Sequence, residues 1–191
     1  MKLSFGSPVA LSHEIVKAVV TLGDTVVDAT AGNGKDTLFL ARTVGSSGKV
    51  IAFDCQMEAI QTTLHRLEQH GVSGWVQLVH AGHQLMDQFI SEPVKAVVFN
   101  LGYLPGSDKQ VITTPENTIC AVEKALRLLL VKGVVTIVVY SGHPGGREEA
   151  LAVEEYLQGL SQKAYLAVRL GYINRKQTSP YLIAVYKTAD I

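Results

Sequence analysis

Apolar residues along the chain fall into short blocks. Val, Ile and Phe gather at 25–30, 49–54, 75–80, 95–100 and 133–139, several of them on successive residues. Continuous apolar runs of this length suit strands of a parallel sheet that is covered on both faces. Helices fit between them, near 35–43, 57–70, 84–90, 115–131 and 146–160. A first helix is expected from about Ser7 to Leu22, with Ser7 as N-cap and Pro8 as first helical residue. This alternation predicts an α/β protein with an open, doubly wound sheet. The C-terminus departs from it. Ala164 to Tyr172 and Tyr181 to Tyr186 both read as strands, and only residues 173–180 separate them. A crossover helix does not fit in that space, so the last two strands are expected to pair antiparallel.

Composition narrows the class. The 191 residues are 47% hydrophobic and 18% charged, which suits one compact domain over 1–191 with no repeat or linker. No apolar run reaches the ~18 to 20 residues of a membrane span. The first twenty residues are broken by Ser, Pro, His and Glu and read as no signal peptide. Lys+Arg and Asp+Glu both count 17, which argues against strong non-specific nucleic-acid binding but leaves room for a local basic patch. Cys55 and Cys120 stand far apart without a CxxC pair. A zinc cage is not expected, no metal is called for, and free thiols fit the cytoplasm.

The chemistry starts at DATAGNGKDT, residues 28–37, where the first strand opens into a helix through a glycine turn. A phosphate-cradling G-x-x-x-x-G-K-[ST] motif fails twice here: Asp36 follows Lys35, and Ala29 stands where the first glycine belongs. A dinucleotide G-x-G-x-x-G has Gly32 and Gly34 but Thr37 in third place. Asp36 lies where a diphosphate would sit on the helix amides. Two like charges ~4 Å apart repel by roughly 4 kcal/mol at an effective dielectric near 20. Asp28 and Asp36 therefore favour a ligand carrying a cation, as S-adenosylmethionine does. The plainer reading is a tight turn in which Asp36 caps the helix.

Asp54 ends the second strand 20 residues after Gly34, the position of an acid that accepts ribose hydroxyls. It could equally cap the next helix. Gln56 follows within reach of ribose or adenine, and His83 lies near the expected adenine edge, where a structural role is as reasonable as a ligand role. The fourth strand ends in NLGYLPGSDK, residues 100–109. This stretch resembles the N-P-P-Y loop of methyltransferases that modify exocyclic amines, with Leu101 and Gly102 in place of the prolines. Asn100 would accept N–H bonds from a target amine and Tyr103 would stack on a base; an ordinary turn is the alternative. SGHPGGREE, residues 141–149, brings His143 and Arg147 to the same edge, and Arg175 and Lys176 lie between the last two strands. With Lys109 these are candidate RNA contacts, although short charged loops are more often merely solvated.

Taken together, DATAGNGKDT, FDCQ, HAGH, NLGYLPGSDK, SGHPGGREE and SPYLIAVYK resemble the "putative rRNA methylase" family of small bacterial proteins, over about residues 5–187. The resemblance implies a Rossmann-like class I methyltransferase fold: a seven-stranded, mostly parallel sheet with an antiparallel last strand and helices on both faces. It implies S-adenosylmethionine as methyl donor, held by Asp28, Gly32, Asn33, Asp36, Thr37, Asp54, Gln56 and His83 with Gly34 in the same loop. It implies Asn100 and Tyr103 at the target amine. Characterised members methylate the aminomethyl group of 5-aminomethyl-2-thiouridine at the tRNA wobble position, so the anticodon stem-loop is the implied partner. A homodimer is a plausible form, since a second subunit would widen the RNA surface. An rRNA or small-molecule amine methyltransferase, a non-enzymatic RNA-binding module and a nicotinamide-dependent oxidoreductase remain as alternatives.

Overall fold

The computed structural model describes residues 6–102 and 114–190. The chain begins with α1 (Pro8–Val19), β1 (Thr25–Asp28), α2 (Lys35–Val44), β2 (Lys49–Asp54), α3 (Met57–Gln69) and β3 (Val76–His80). It continues with β4 (Val94–Asn100), α4 (Pro115–Leu128), β5 (Leu129–Val139), α5 (Gly146–Gln158), β6 (Tyr165–Leu170) and β7 (Tyr181–Lys187). The sheet runs β3-β2-β1-β4-β5-β7-β6. The first five strands pair parallel, and β7 pairs antiparallel with both β5 and β6. The expected seven-stranded sheet and its antiparallel end are therefore present.

Alternation along the strands divides the core into two layers. Val26, Val50, Ala96, Val98 and Val134 face a layer that includes Val16 of α1 and Leu40 of α2. Their neighbours Val27, Ile51, Val97 and Val135 face the opposite layer with Val122 of α4 and Val153 of α5. Phe53 and Phe99 are fully enclosed in the second layer, each stabilising the fold by about 1.5–3 kcal/mol through burial alone. Ser7 caps α1 as expected, its Oγ accepting from the Ala10 amide at 3.1 Å, with Pro8 in the first turn. No helix among the described residues is long and apolar enough to cross a membrane.

Several expected boundaries change, and the first helix ends at Val19 rather than at Leu22. The helix expected at 84–90 is a short 3₁₀ segment, His83–Gln88. The helix expected to reach 131 stops at Leu128, and β5 starts at Leu129 rather than at 133. Leu128 to Val131 is apolar on every residue, so its pattern does not separate the end of a helix from the start of a strand. The pairing with β4 shifts register between Val94 and Ala96, and Lys132 opposite this break has a left-handed φ of 64°. Finally, β1 ends at Asp28, and Ala29 and Thr30 belong to the loop that follows.

The order of strands reverses between β1 and β4. Ligand crevices of open α/β sheets form beyond the carboxyl ends of strands at such a switch point. Here that point lies between Asp28 and Asn100.

Candidate active site at the carboxyl edge of the sheet

The glycine loop leaves β1 and is held from three sides. Its Ala31 amide donates to the Phe53 carbonyl of β2 at 2.9 Å, and the Ala29 amide donates to the Val98 carbonyl of β4 at 2.8 Å. From α3, Thr63 Oγ1 donates to the Gly32 carbonyl at 3.1 Å and Arg66 Nε donates to the Asn33 carbonyl at 2.6 Å. Gly32 and Gly34 take left-handed φ values of 53° and 71°, which glycine adopts without strain. Gly34 also lies against Thr63, where a Cβ would come within 2.9 Å of the α3 backbone.

Behind the loop, Asp28 is fully buried. Its Oδ2 accepts from Thr37 Oγ1 at 2.6 Å and its Oδ1 from the Thr30 amide at 3.1 Å. Burial first, and the nearby charge of Asp36 second, push its carboxyl up to about 7. Asp28, Gly34 and Thr37 thus stand behind the cavity wall and shape the loop from within.

In front of the loop opens a cavity of about 750 Å³. Gly32, Asn33, Asp54, Gln56 and His83 line one part of it, and Asp36, Asn100 and His143 line another. Asp54 Oδ2 accepts from the Gly32 amide at 2.9 Å and Oδ1 from the Gln56 amide at 2.9 Å. An ionised carboxylate offers about four acceptor positions, so Asp54 keeps capacity for hydroxyls in the cavity. His83 Nδ1 lies 3.2 Å from the Ala29 carbonyl, and its ring meets Phe99 edge-on at 5.7 Å. A carbonyl only accepts, so Nδ1 carries the proton. Burial lowers the imidazole's basicity against the weaker opposing pull of that carbonyl, which leaves Nε2 as an acceptor.

The second part centres on Asn100. Its amide nitrogen Nδ2 donates to Asp36 Oδ2, and its backbone N–H donates to Thr30 Oγ1 at 2.7 Å. Its Oδ1 is buried with no hydrogen-bond partner among the described residues. Asp36 Oδ1 in turn meets His13 Nε2 at 2.6 Å. Both oxygens of Asp36, expected from the sequence to meet a ligand's cation, thus carry one partner each from the protein and keep further acceptor positions. Tyr140 at the end of β5 also lines the cavity, and burial, with the Asp36 charge second, raises its phenol.

The candidate RNA contacts separate. His143 reaches the cavity and packs over Gly102, where a Cβ would come to 3.3 Å from its Nε2. Arg147 is exposed on the first turn of α5. Arg175 and Lys176 line a second hollow of about 360 Å³, and Pro180 borders both. Tyr103 and Lys109 lie outside the described residues. Sequence reading missed His13, Thr30, Thr63, Arg66 and Tyr140. The spacing of Thr63 and Arg66, three apart on one helix face, was a visible signal, but its target on the loop was not. His13 carried no signal, because nothing in its helix tells where α1 crosses the sheet.

The cavity suits a nucleoside held at an acidic strand end beside a bare, buried acceptor for a second ligand. The family model described as "Putative rRNA methylase" matches residues 50–186. A chloroplastic tRNA (mnm(5)s(2)U34)-methyltransferase of Arabidopsis thaliana is 38% identical over 187 residues, 93% of this chain and 68% of that protein. A "putative rRNA-methylase" from Clostridium thermocellum is 45% identical with a TM-score of 0.94, covering 97% of this chain and all 100% of that one. A "putative methyltransferase" from Streptococcus mutans, solved in complex with SAH, is 36% identical with a TM-score of 0.88, covering 96% and 99%. SAH is the form S-adenosylmethionine takes once its methyl group has left. The chain belongs to the "Putative rRNA methylase" family of S-adenosylmethionine-dependent methyltransferases.

Proposed function

We propose that the enzyme methylates tRNA at the aminomethyl nitrogen of 5-aminomethyl-2-thiouridine in the wobble position. The observation that carries this reading is Asn100 Oδ1, a buried acceptor that could take an N–H donor and is unpaired among the described residues. The name of the Arabidopsis relative supports the choice of nucleoside.

S-adenosylmethionine, when bound, supplies a methyl group activated by its sulfonium. Asp54 and Gln56 would hold the ribose side, the 32–33 loop backbone the methionine side, and His83 the adenine edge, with Asp28, Gly34 and Thr37 keeping the loop in shape. Asn100 Oδ1 would accept an N–H of the neutral amine and so fix the direction of its lone pair. Fixing that direction is the main catalytic service a methyl transfer needs. A bond forms from nitrogen to the methyl carbon while the carbon–sulfur bond breaks, its electron pair staying on sulfur. The acceptor enters as an alkylammonium at neutral pH and gives up one proton to solvent water before transfer. Desolvation in the cavity favours that loss. His143, Arg147, Arg175 and Lys176, with Tyr103 and Lys109, are the proposed contacts to the anticodon stem-loop.

Mass spectrometry of tRNA nucleosides from a deletion strain tests the substrate. Accumulated 5-aminomethyl-2-thiouridine, cleared by the purified enzyme with S-adenosylmethionine, is the expected result. Unchanged tRNA in that strain overturns the reading, and a missing methyl group in rRNA would redirect it. Asn100→Ala should bind S-adenosylmethionine normally in calorimetry and lose transfer.

A further inference from the structure

We infer that His13 is a positioning residue for the acceptor amine: acting through Asp36, it holds the Asn100 side chain with its Nδ2 on the carboxylate and its oxygen left for the amine. The inference rests on the reading of Asn100 as the amine's hydrogen-bond acceptor.

His13 comes from α1, the helix that precedes the glycine loop in the chain. Leu11 and Val16 are buried beside it, and Ser12 Oγ donates to Thr136 Oγ1 of β5 at 2.8 Å. These contacts pin the helix over the sheet and carry His13 to the carboxyl edge. Its seat is one face of α2. Asp36 and Phe39 are three residues apart and project to the same side. The Phe39 ring stacks on the imidazole with centroids 3.7 Å apart and planes 8° apart. Asp36 Oδ1 lies 2.6 Å from Nε2. Stack and carboxylate together leave the imidazole one orientation.

Donor and acceptor chemistry then sets the rest. An ionised carboxylate only accepts, so Nε2 of His13 presents a proton to Oδ1 and Nδ2 of Asn100 presents one to Oδ2. The amide oxygen of Asn100 is left buried and without a partner among the described residues, on a side chain that lines the cavity. A flipped amide would set that oxygen against the carboxylate. It would also send an N–H toward the amine's lone pair, which must stay free for transfer. Without His13, Oδ1 loses its donor and the carboxylate can turn about its own side-chain bond. Both orientations of Asn100 then become accessible, and only one of them suits the amine. Asp36 accordingly belongs with the acceptor half of the site.

Two substitutions separate this role from packing. His13→Phe keeps the stack on Phe39 and removes the donor. His13→Gln keeps an N–H donor near the position of Nε2 and removes the ring. With tRNA from the deletion strain as substrate, His13→Phe should lower kcat about 10- to 100-fold, the scale of a misplaced reactive group. Its melting temperature and its affinity for S-adenosylmethionine should stay near wild type. His13→Gln should restore most of kcat. Without any substrate, the ¹H–¹⁵N resonances of the Asn100 side-chain amide should shift in His13→Phe and return in His13→Gln. Wild-type kcat in His13→Phe, or unmoved Asn100 resonances, overturns the inference. Equal loss in both variants, tracking a fall in stability, also overturns it in favour of packing. The resonance shift with a wild-type enzyme inactive on this tRNA would uphold the positioning and reject the substrate instead.

Discussion

Replacing Gly34 with alanine tests how the glycine loop is held. The residue sits at φ 71°, and an added Cβ would lie 2.9 Å from Thr63 Cα, 2.9 Å from its Oγ1 and 3.0 Å from its Cγ2. A left-handed backbone costs a non-glycine residue roughly 1–2 kcal/mol. The clash adds to this, because Thr63 Cα is helix backbone and cannot swing aside. Relief requires α3 to move away from the loop, which stretches the Thr63 bond to Gly32 and the Arg66 bond to Asn33. Those bonds are worth roughly 1 kcal/mol for the neutral donor and about 1.5–3 kcal/mol for the charged one. Partial relaxation keeps some of that, so the total destabilisation should be about 3–5 kcal/mol. Gly71 supplies the control. It has φ 65° and nothing within 4 Å of a built Cβ, so Gly71→Ala carries the backbone cost alone. Urea denaturation should place Gly34→Ala about 2–3 kcal/mol below Gly71→Ala, a gap of roughly 4–12 °C in Tm for a chain of this size. Calorimetry should show weakened S-adenosylmethionine binding only in Gly34→Ala. Equal stability of the two variants, with equal affinity, would refute the clamp between α3 and the loop.

Asp28 keeps its proton in the folded protein up to about pH 7, against 3.8 for an ordinary aspartate, so its contribution to stability is present below about pH 4 and lost as pH rises through 7. Asp28→Asn should therefore gain stability relative to wild type between pH 5 and pH 8 in urea melts; a constant difference across that range would rule the shift out. Ser12→Ala should cost about 1–3 kcal/mol by leaving the buried Thr136 hydroxyl unpaired, and Ser12→Ala with Thr136→Val should recover most of it. Under the tRNA reading, Arg175→Ala should weaken tRNA binding and reduce the slope of log affinity against log salt by about one, measured by filter binding. An unchanged slope would remove that loop from the RNA surface.

Much of the fold was legible because burial on both faces writes strands as continuous apolar runs, and because residues 173–180 leave no room for a helix between the last two strands. The loops at the strand ends were legible for a related reason. Gly32, Gly34 and Asp54 are residue types that a left-handed turn and an acidic strand end demand locally. The boundary at Leu128–Leu129 was not legible, since a leucine run satisfies helix and strand alike.

By itself the sequence determined that the glycine loop, Asp54 and Asn100 stand at the carboxyl edge, since each lies at or just after the end of a strand. Only the tertiary structure decided how they divide the work. Asp28 and Asp36 look equivalent in DATAGNGKDT, yet one is sealed beneath the loop and the other bridges His13 and Asn100. His13 and Asn100 are 87 positions apart in the chain, and they meet Asp36 because α1 packs across β5 while β4 lies beside β1. Local pattern records what a residue type tolerates along the backbone. Which oxygen faces which donor depends on distances between elements that the pattern does not contain.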